Sequence, residues 1–431
     1  MNRNLLLIAC ITLVMTTFGQ TGPLFESWIT NDNGEGGLYY ETTQLTNGQN
    51  AGPNFYVVRI NGKRYKINKN PIETTDSSNV TRIAYSDDYV YVWSTGVASY
   101  AFGPYIYDGN TNSHEKVDHL WQIPRSPEKN NGKKTTATLG NLAVFINGVP
   151  YFPPADNMYF YDQGGVKIWK RNAGVMEAAG FDCSGGHPAG EYYHYHRIPS
   201  PDVVHGIDSM CATFPSEGLF RLDETKHSPI IGWGFDGFPI YGPYGYTDSL
   251  DASSPIERMK SSWQKRNYID GKRQSYIDED SGNEIMLNPT QHGPDVDETV
   301  NGTNYPLGAF FEDYIYVEGS GDLNRYNLRW CVTPEYPSGT YAYFATVEED
   351  RTPAFPYVMG EELFGKAIEE NLSGLGGGNL SSSVVVNESV TTFFPSTITS
   401  TTHSNAANDM VNIYPNPASN FATINLTNML Q

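Results

Sequence analysis

The chain has 431 residues, a formal charge of −20 and 39% apolar residues, with 30 Tyr and only 4 Cys. That length suits one large domain or two plus appendages, and the acidic balance, with no dense Lys/Arg stripe, argues against nucleic acid or an anionic membrane as partner. The 42 Gly and 27 Pro favour short strands and turns over long helices.

In chain order, residues 1–20 read as a secretory signal. Arg3 supplies the charged start, residues 5–15 are nearly all apolar, and small or polar residues follow. The apolar run is too short to span a bilayer comfortably, and no later segment reads as a membrane span. The expected location is outside the cytoplasm, secreted or on the cell surface. Residues 21–369 read as the folded body. There RIAYSDDYVYVW predicts a hairpin over Ser86, Asp87 and Asp88. VFINGVPYF (144–152) and GFDGFPIYG (234–242) predict two more, each with Asn-Gly or Asp-Gly in a type I′ turn, as one device used twice. GEELFGKAIEE (360–370) and residues 257–266 are the helix candidates. Residues 370–409 are biased to Gly, Ser, Thr and Asn and read as a linker; residues 410–431 open a new block. The fold class expected is mainly β: a large β-sandwich-like body built from hairpins, with long loops and few short helices.

The chemistry concentrates in GGHPAGEYYHYH (185–196). In an extended strand side chains alternate, so His194 and His196 share one face while Tyr193 and Tyr195 enter the core. His187 precedes them across a turn and folds back as a third metal ligand. Imidazoles suit a divalent transition metal, zinc or copper, and metal binding is expected to weaken as pH falls through about 6–6.5. His205 lies nearby in sequence. His227, at the head of HSPIIGWGFDGFPIYGPYGY, is a fourth candidate ligand. Asp236 in its turn and Glu335 between two prolines are the candidate catalytic acids. Against these stand plainer readings: histidines hydrogen-bonded in a tyrosine-rich layer, Asp236 as a turn residue, Glu335 as a loop residue. The acidic loops at 278–284 and 293–302 lack the spacing of a helix–loop–helix calcium site.

Without the signal, Cys183, Cys211 and Cys331 remain. A Cys183–Cys211 bridge around the histidines and a buried, free Cys331 is the simplest arrangement in an oxidising compartment. The chain shows no G-x-S-x-G, no phosphate loop and no H-E-x-x-H.

The string at 193–196, with INGVPYF (146–152), the 227–246 segment, 293–323 and VTPEYPSGTYAYFAT (332–346), resembles the secreted YHYH-domain proteins over about residues 140–360. That resemblance implies a family defined by sequence, not by a settled activity. NIYPNPASNFATINLT, with Tyr-Pro-Asn-Pro at 414–417, resembles the start of the C-terminal sorting domain of type IX secretion cargo in Bacteroidota, shortened here. It implies the type IX secretion machinery as a partner. Two functions follow as expectations: a histidine-ligated, metal-dependent extracellular enzyme, hydrolytic or oxidative, or a non-catalytic surface module that binds glycan or protein.

Overall fold

A computed structural model describes residues 22–395, except 47, 61, 99, 104, 106–113, 137–139, 183–184, 199–222, 279–280 and 373–381. The signal segment, the sorting tail, His205, Cys183 and Cys211 lie outside the described residues, and so does the expected Cys183–Cys211 bridge.

The described chain is mainly β, with two four-residue helices and short 3-10 turns. Its centre is an eight-stranded mixed sheet with the spatial order Gly186–Ala189, Tyr192–Tyr195, Pro150–Tyr151, Ala143–Phe145, Ile230–Gly234, Pro239–Tyr241, Thr340–Phe344 and Leu328–Cys331. A four-stranded antiparallel sheet runs Thr391–Phe394, Val80–Tyr85, Tyr89–Ser94 and His119–Pro124. One apolar core joins the two sheets. Ile83, Val92, Trp121 and Ile123 of the smaller sheet share it with Phe145, Tyr195, Trp233 and Tyr343 of the larger. Trp121 stacks on Phe235 at 5.2 Å between ring centroids, and its indole N–H donates to Ser94 Oγ, which in turn donates to the Gly148 carbonyl. Aromatic area does the work that aliphatics do elsewhere, since each large ring removes roughly 150–250 Å² from water.

The hairpin expected over residues 86–88 forms, with Tyr85 opposite Val90. The other two hairpins form as well, with a different turn. The φ angles of Gly148 and Gly237 are +81° and +86°, while Asn147 and Asp236 keep negative φ. Each turn closes with an N–H from the glycine to the residue three back, Phe145 or Gly234. This is a type I turn with a glycine bulge, not type I′. Asn147 and Asp236 side chains cause the difference, because each accepts the N–H two residues on, from Val149 and Phe238 respectively. The device is used twice.

Both helix candidates fail. Around 360–370 the backbone donors are taken by distant acceptors: Leu363 N–H by the Thr135 carbonyl, Phe364 by Tyr343 Oη, Gly365 by Asp236 and Lys366 by the Glu128 carbonyl. Only Glu369–Leu372 closes a 3-10 turn. The 257–266 stretch contributes to the strands Ile256–Arg258 and Trp263–Lys265 instead. Thr391–Phe394, inside the stretch read as linker, is an edge strand on Val80–Tyr85. Its phenylalanines close over the small sheet, with Phe393 against Phe25 at 5.4 Å. Cys331 is buried and free.

Asp236 is wholly buried. Its carboxylate accepts from Tyr343 Oη and the Gly365 N–H, both at 2.8 Å. It ties the Ile230–Gly234 hairpin to the Thr340–Phe344 strand and the 363–366 crossing. Asp236→Ala removes the acceptor of three buried donors, Tyr343 Oη and the N–H groups of Gly365 and Phe238, and is expected to cost about 2–5 kcal/mol in denaturant unfolding. A loss below about 1 kcal/mol would contradict this role.

Candidate metal centre

The strand pair Gly186–Ala189 and Tyr192–Tyr195 is an antiparallel hairpin at one edge of the large sheet, with His187 directly opposite His194. Alternation sorts its faces as the sequence implies. Tyr193 and Tyr195 are 1% and 0% exposed in the core. His187, His194 and His196 occupy the other face, 6%, 2% and 3% exposed. Asp182 anchors the hairpin: its carboxylate accepts from Tyr193 Oη at 2.7 Å and from the N–H groups of Gly186 and Gly103. Gly186 is needed there, because a Cβ would stand 2.4 Å from the Tyr193 hydroxyl.

One ligand atom from each of the three histidines lies within 4.8 Å of the others. The ring orientations are fixed from behind. His196 Nδ1 meets the Pro153 carbonyl at 2.7 Å and His194 Nδ1 meets the Tyr192 carbonyl at 3.1 Å. A carbonyl only accepts, so both Nδ1 atoms carry the proton and both Nε2 atoms present lone pairs. Those two lone-pair atoms face one another at 3.0 Å. Phe152 stacks on His194 at 3.9 Å and Phe181 on His196 at 5.9 Å, holding the rings in an apolar sleeve.

A fourth group borders the cluster, and the sequence reading missed it. Glu177 Oε2 lies 3.3 Å from His196 Nε2 and 3.5 Å from His187 Nε2. It is delivered by the helix Ala173–Met176, whose N-cap Asn172 accepts the Gly174 N–H at 3.1 Å. Gly174 lets the ring of Tyr357 approach to where a Cβ would sit 2.3 Å away. Asn172 before a short run was the available signal for a helix start. Nothing in RNAGVMEAAG marks which way Glu177 points.

A tetrahedral site with bonds of about 2.0–2.1 Å has edges of about 3.3–3.4 Å. The 3.0, 3.3 and 3.5 Å separations lie near three of the six edges of such a site, and the histidine ligand atoms as a set lie within 4.8 Å of one another. Burial also prepares the ligands. It pushes His187 down to about 3 and His196 down to about 4, and it lowers His194, with the neighbouring imidazoles adding to the effect. Burial therefore favours the neutral form of these three imidazoles. Desolvation disfavours the imidazolium, so burial favours the form of the ring that can ligate.

The remaining candidates sit elsewhere. His227 is not in the cluster: its ring packs against Tyr241 at 5.0 Å and Tyr246 at 4.9 Å, and its Nδ1 meets the Ser228 carbonyl. Glu335 accepts from Tyr241 Oη at 2.8 Å, and burial raises its pKa. His227 and Glu335 thus share Tyr241 as a neighbour, not the three histidines. Asp236 serves the hairpin crossing described above. Among the described residues no helix is long and apolar enough to cross a membrane.

The family described as YHYH protein matches residues 120–357. No curated protein and no solved structure matches the chain. The matched segment holds the whole cluster, from Glu177 to His196, and spans more than half of the 431 residues. The chain belongs to the YHYH protein family.

Proposed function

We propose that this YHYH protein is a secreted metalloprotein in which His187, His194, His196 and Glu177 hold one divalent transition ion, and that it works as a metal-dependent extracellular enzyme. The observation that carries the reading is the pair of Nε2 lone pairs facing each other at 3.0 Å beside a carboxylate oxygen. Like partial charges at that separation repel, and a cation among them turns repulsion into attraction. Three imidazoles and a carboxylate suit Zn²⁺ and also accept Cu²⁺. Zinc would supply Lewis acidity for hydrolysis, and copper would supply one-electron chemistry.

The protein residues divide the work. The carbonyls of Pro153 and Tyr192 fix the tautomers. Phe152 and Phe181 exclude water. Glu177 is the exchangeable ligand in this reading, since its side chain is 25% exposed against 8% and 3% for His187 and His196. A substrate group would approach an ion held there from the side that Glu177 occupies. Burial of the histidines supports a second reading, in which the ion is a closed, four-ligand clamp on the hairpin of a non-catalytic module. The export signal at 1–20 and the sorting segment at 410–431 support a location outside the cytoplasm, with the type IX machinery as partner.

Elemental analysis of purified protein should give one zinc or copper per chain. His194→Ala should lower metal affinity by about 100-fold or more, whereas Tyr195→Phe on the packed face should leave the metal content unchanged. Equal metal content in wild type and His194→Ala would contradict the centre. Glu177→Gln tests the carboxylate as the exchangeable ligand: it should speed metal exchange, and an unchanged exchange rate would contradict that role.

A second expectation concerns acid. Burial lowers His114 and His119 to about 3 and His227 to about 4, in addition to the three cluster histidines. Their folded pKa values lie below the unfolded value of about 6.5, so the unfolded chain takes up protons first as pH falls. Stability from these groups is complete above about pH 6.5 and is lost toward pH 3–4, at up to about 1.4 kcal/mol per pH unit for each histidine. Melting temperature of the metal-free protein should therefore drop steeply between pH 6.5 and 4.5. A flat profile down to about pH 5, falling only where carboxylates titrate, would show that these histidines are not buried neutral.

A further inference from the structure

The acidic balance of the chain is reversed in one segment. Residues 42–72 contain Arg59, Lys63, Arg64, Lys66 and Lys69 and no Asp or Glu, in a chain whose formal charge is −20. The segment folds into a three-stranded antiparallel sheet in the order Thr42–Leu45, Lys63–Asn68, Phe55–Ile60. Phe55–Ile60 is therefore an edge strand. The Asn54 carbonyl accepts the Lys69 N–H, and this sets the phase of the ladder. In that phase the backbone N–H and C=O groups of Phe55, Val57 and Arg59 point away from the sheet. Among the described residues no backbone group pairs with them. Ile67, wholly buried, marks the inner face of the sheet. By alternation Phe55, Val57, Arg59, Arg64 and Lys66 share the outer face, where Val57 is 48% exposed.

The cations of this face are set against one another. Arg59 lies directly opposite Arg64, and like charges so placed destabilise a sheet. Among the described residues no carboxylate forms an ion pair with Arg59, Lys63, Arg64 or Lys66. Arg64 donates to the Gln49 carbonyl, and Lys66 lies over the Phe55 ring at 4.4 Å. Other cations of the chain do find carboxylates, as Arg171 finds Asp156, Arg266 finds Glu284 and Arg273 finds Asp313. A cation on an edge strand guards it against pairing with a second copy. That duty accounts for Arg59. It does not account for Lys63, Arg64 and Lys66, which belong to the central strand.

We propose that the edge Phe55–Ile60 takes up an extended acidic peptide segment of a partner protein as an added strand. The open backbone groups of Phe55, Val57 and Arg59 supply the ladder, which is the source of affinity in strand addition. The cations choose the partner. A carboxylate opposite Arg59 pairs with it, and Arg64 and Lys66, one strand further back, add their field. Apolar side chains opposite Phe55 and Val57 complete the outer face. Six residues at about 3.3 Å each give an edge of about 20 Å, enough to hold a segment of similar length. A second copy of this chain brings the same cations to the same edge and is repelled. A sulfated glycan meets the cations and leaves the backbone ladder unused. The site is independent of the histidine cluster.

Fluorescence anisotropy with the full chain tests the proposal. The probe is a short labelled peptide of alternating Thr and Glu, which presents its carboxylates on one face when extended. It should bind, and added salt should weaken it. The same peptide with Lys in place of Glu should bind at least about tenfold more weakly. So should the Glu peptide methylated on alternate backbone nitrogens, which keeps the charge and removes the ladder. The double change Arg59→Glu/Lys63→Glu, on exposed positions, should lower affinity for the Glu peptide by about tenfold or more. Chelator treatment and His194→Ala should leave binding in place, which separates this result from any failure of the metal centre. No binding of the Glu peptide, equal binding of the Lys peptide, or wild-type affinity in the double variant would overturn the proposal. Equal binding of the methylated peptide would show attraction by charge without strand addition and would overturn it too. A heparin-derived oligosaccharide that binds more tightly than the Glu peptide, or a dimer in sedimentation that Arg59→Glu/Lys63→Glu abolishes, would assign the edge to another occupant and overturn it as well.

Discussion

The two imidazole nitrogens that face each other between His194 and His196 organise what surrounds them. Neither can turn away. Each Nδ1–H is held by a backbone carbonyl, one from Pro153 on the neighbouring strand connection and one from Tyr192 on the same strand. Rotating either ring would break a buried hydrogen bond, at roughly 1–3 kcal/mol for the stranded group. The carbonyl positions are in turn fixed by the sheet, where Tyr151 pairs with Tyr195 in parallel register. The lone pairs therefore converge because the sheet register makes them converge.

That register rests on the tyrosines of the opposite face. Tyr193 and Tyr195 are locked in the core, Tyr195 edge-on to Phe145 at 5.2 Å. A slip of one residue would exchange the faces, placing imidazoles in the apolar core and phenols in the ligand cluster. Truncating a buried ring of this size costs about 3–5 kcal/mol. The Tyr-His-Tyr-His string is thus one device with two halves. The phenols set the position along the strand, and the imidazoles use it. Asp182 and Gly186 fasten the hairpin from outside, while the Glu177 turn closes it from the end that meets solvent.

How far the sequence carries depends on the range of the interaction concerned. Period-two alternation placed His194 and His196 on one face and the tyrosines in the core, because that pattern is local. His187 was within reach for the same reason, one hairpin turn away. The repeated Asn-Gly and Asp-Gly hairpins were legible as hairpins, but their turn type was not. It depends on side-chain oxygens of Asn147 and Asp236 reaching forward to backbone N–H groups. Asp236 reads in the sequence as an acid in a turn, and the fold makes it the hub of a crossing that joins residues more than a hundred positions apart. The helix expected over 360–370 gave way to the same long-range partners. The direction of Glu177 had no sequence signal, since its approach to the histidines arises from segments brought together only by the fold. His227 and Glu335 looked like parts of one site with the triad, yet the sheet sets them around Tyr241 instead.

The central claim is that the convergent Nε2 atoms and Glu177 form a single metal coordination sphere. X-ray absorption at the metal edge of the zinc-loaded protein tests it most directly. The geometry predicts three imidazole nitrogens and one oxygen at about 2.0–2.1 Å, with the outer-shell scattering of histidine rings. In Glu177→Gln the three-imidazole signature should persist while the oxygen shell changes. A spectrum with fewer than three imidazoles, or with an all-oxygen hydrated shell, would contradict the account and leave the Tyr-His-Tyr-His string as a packing motif.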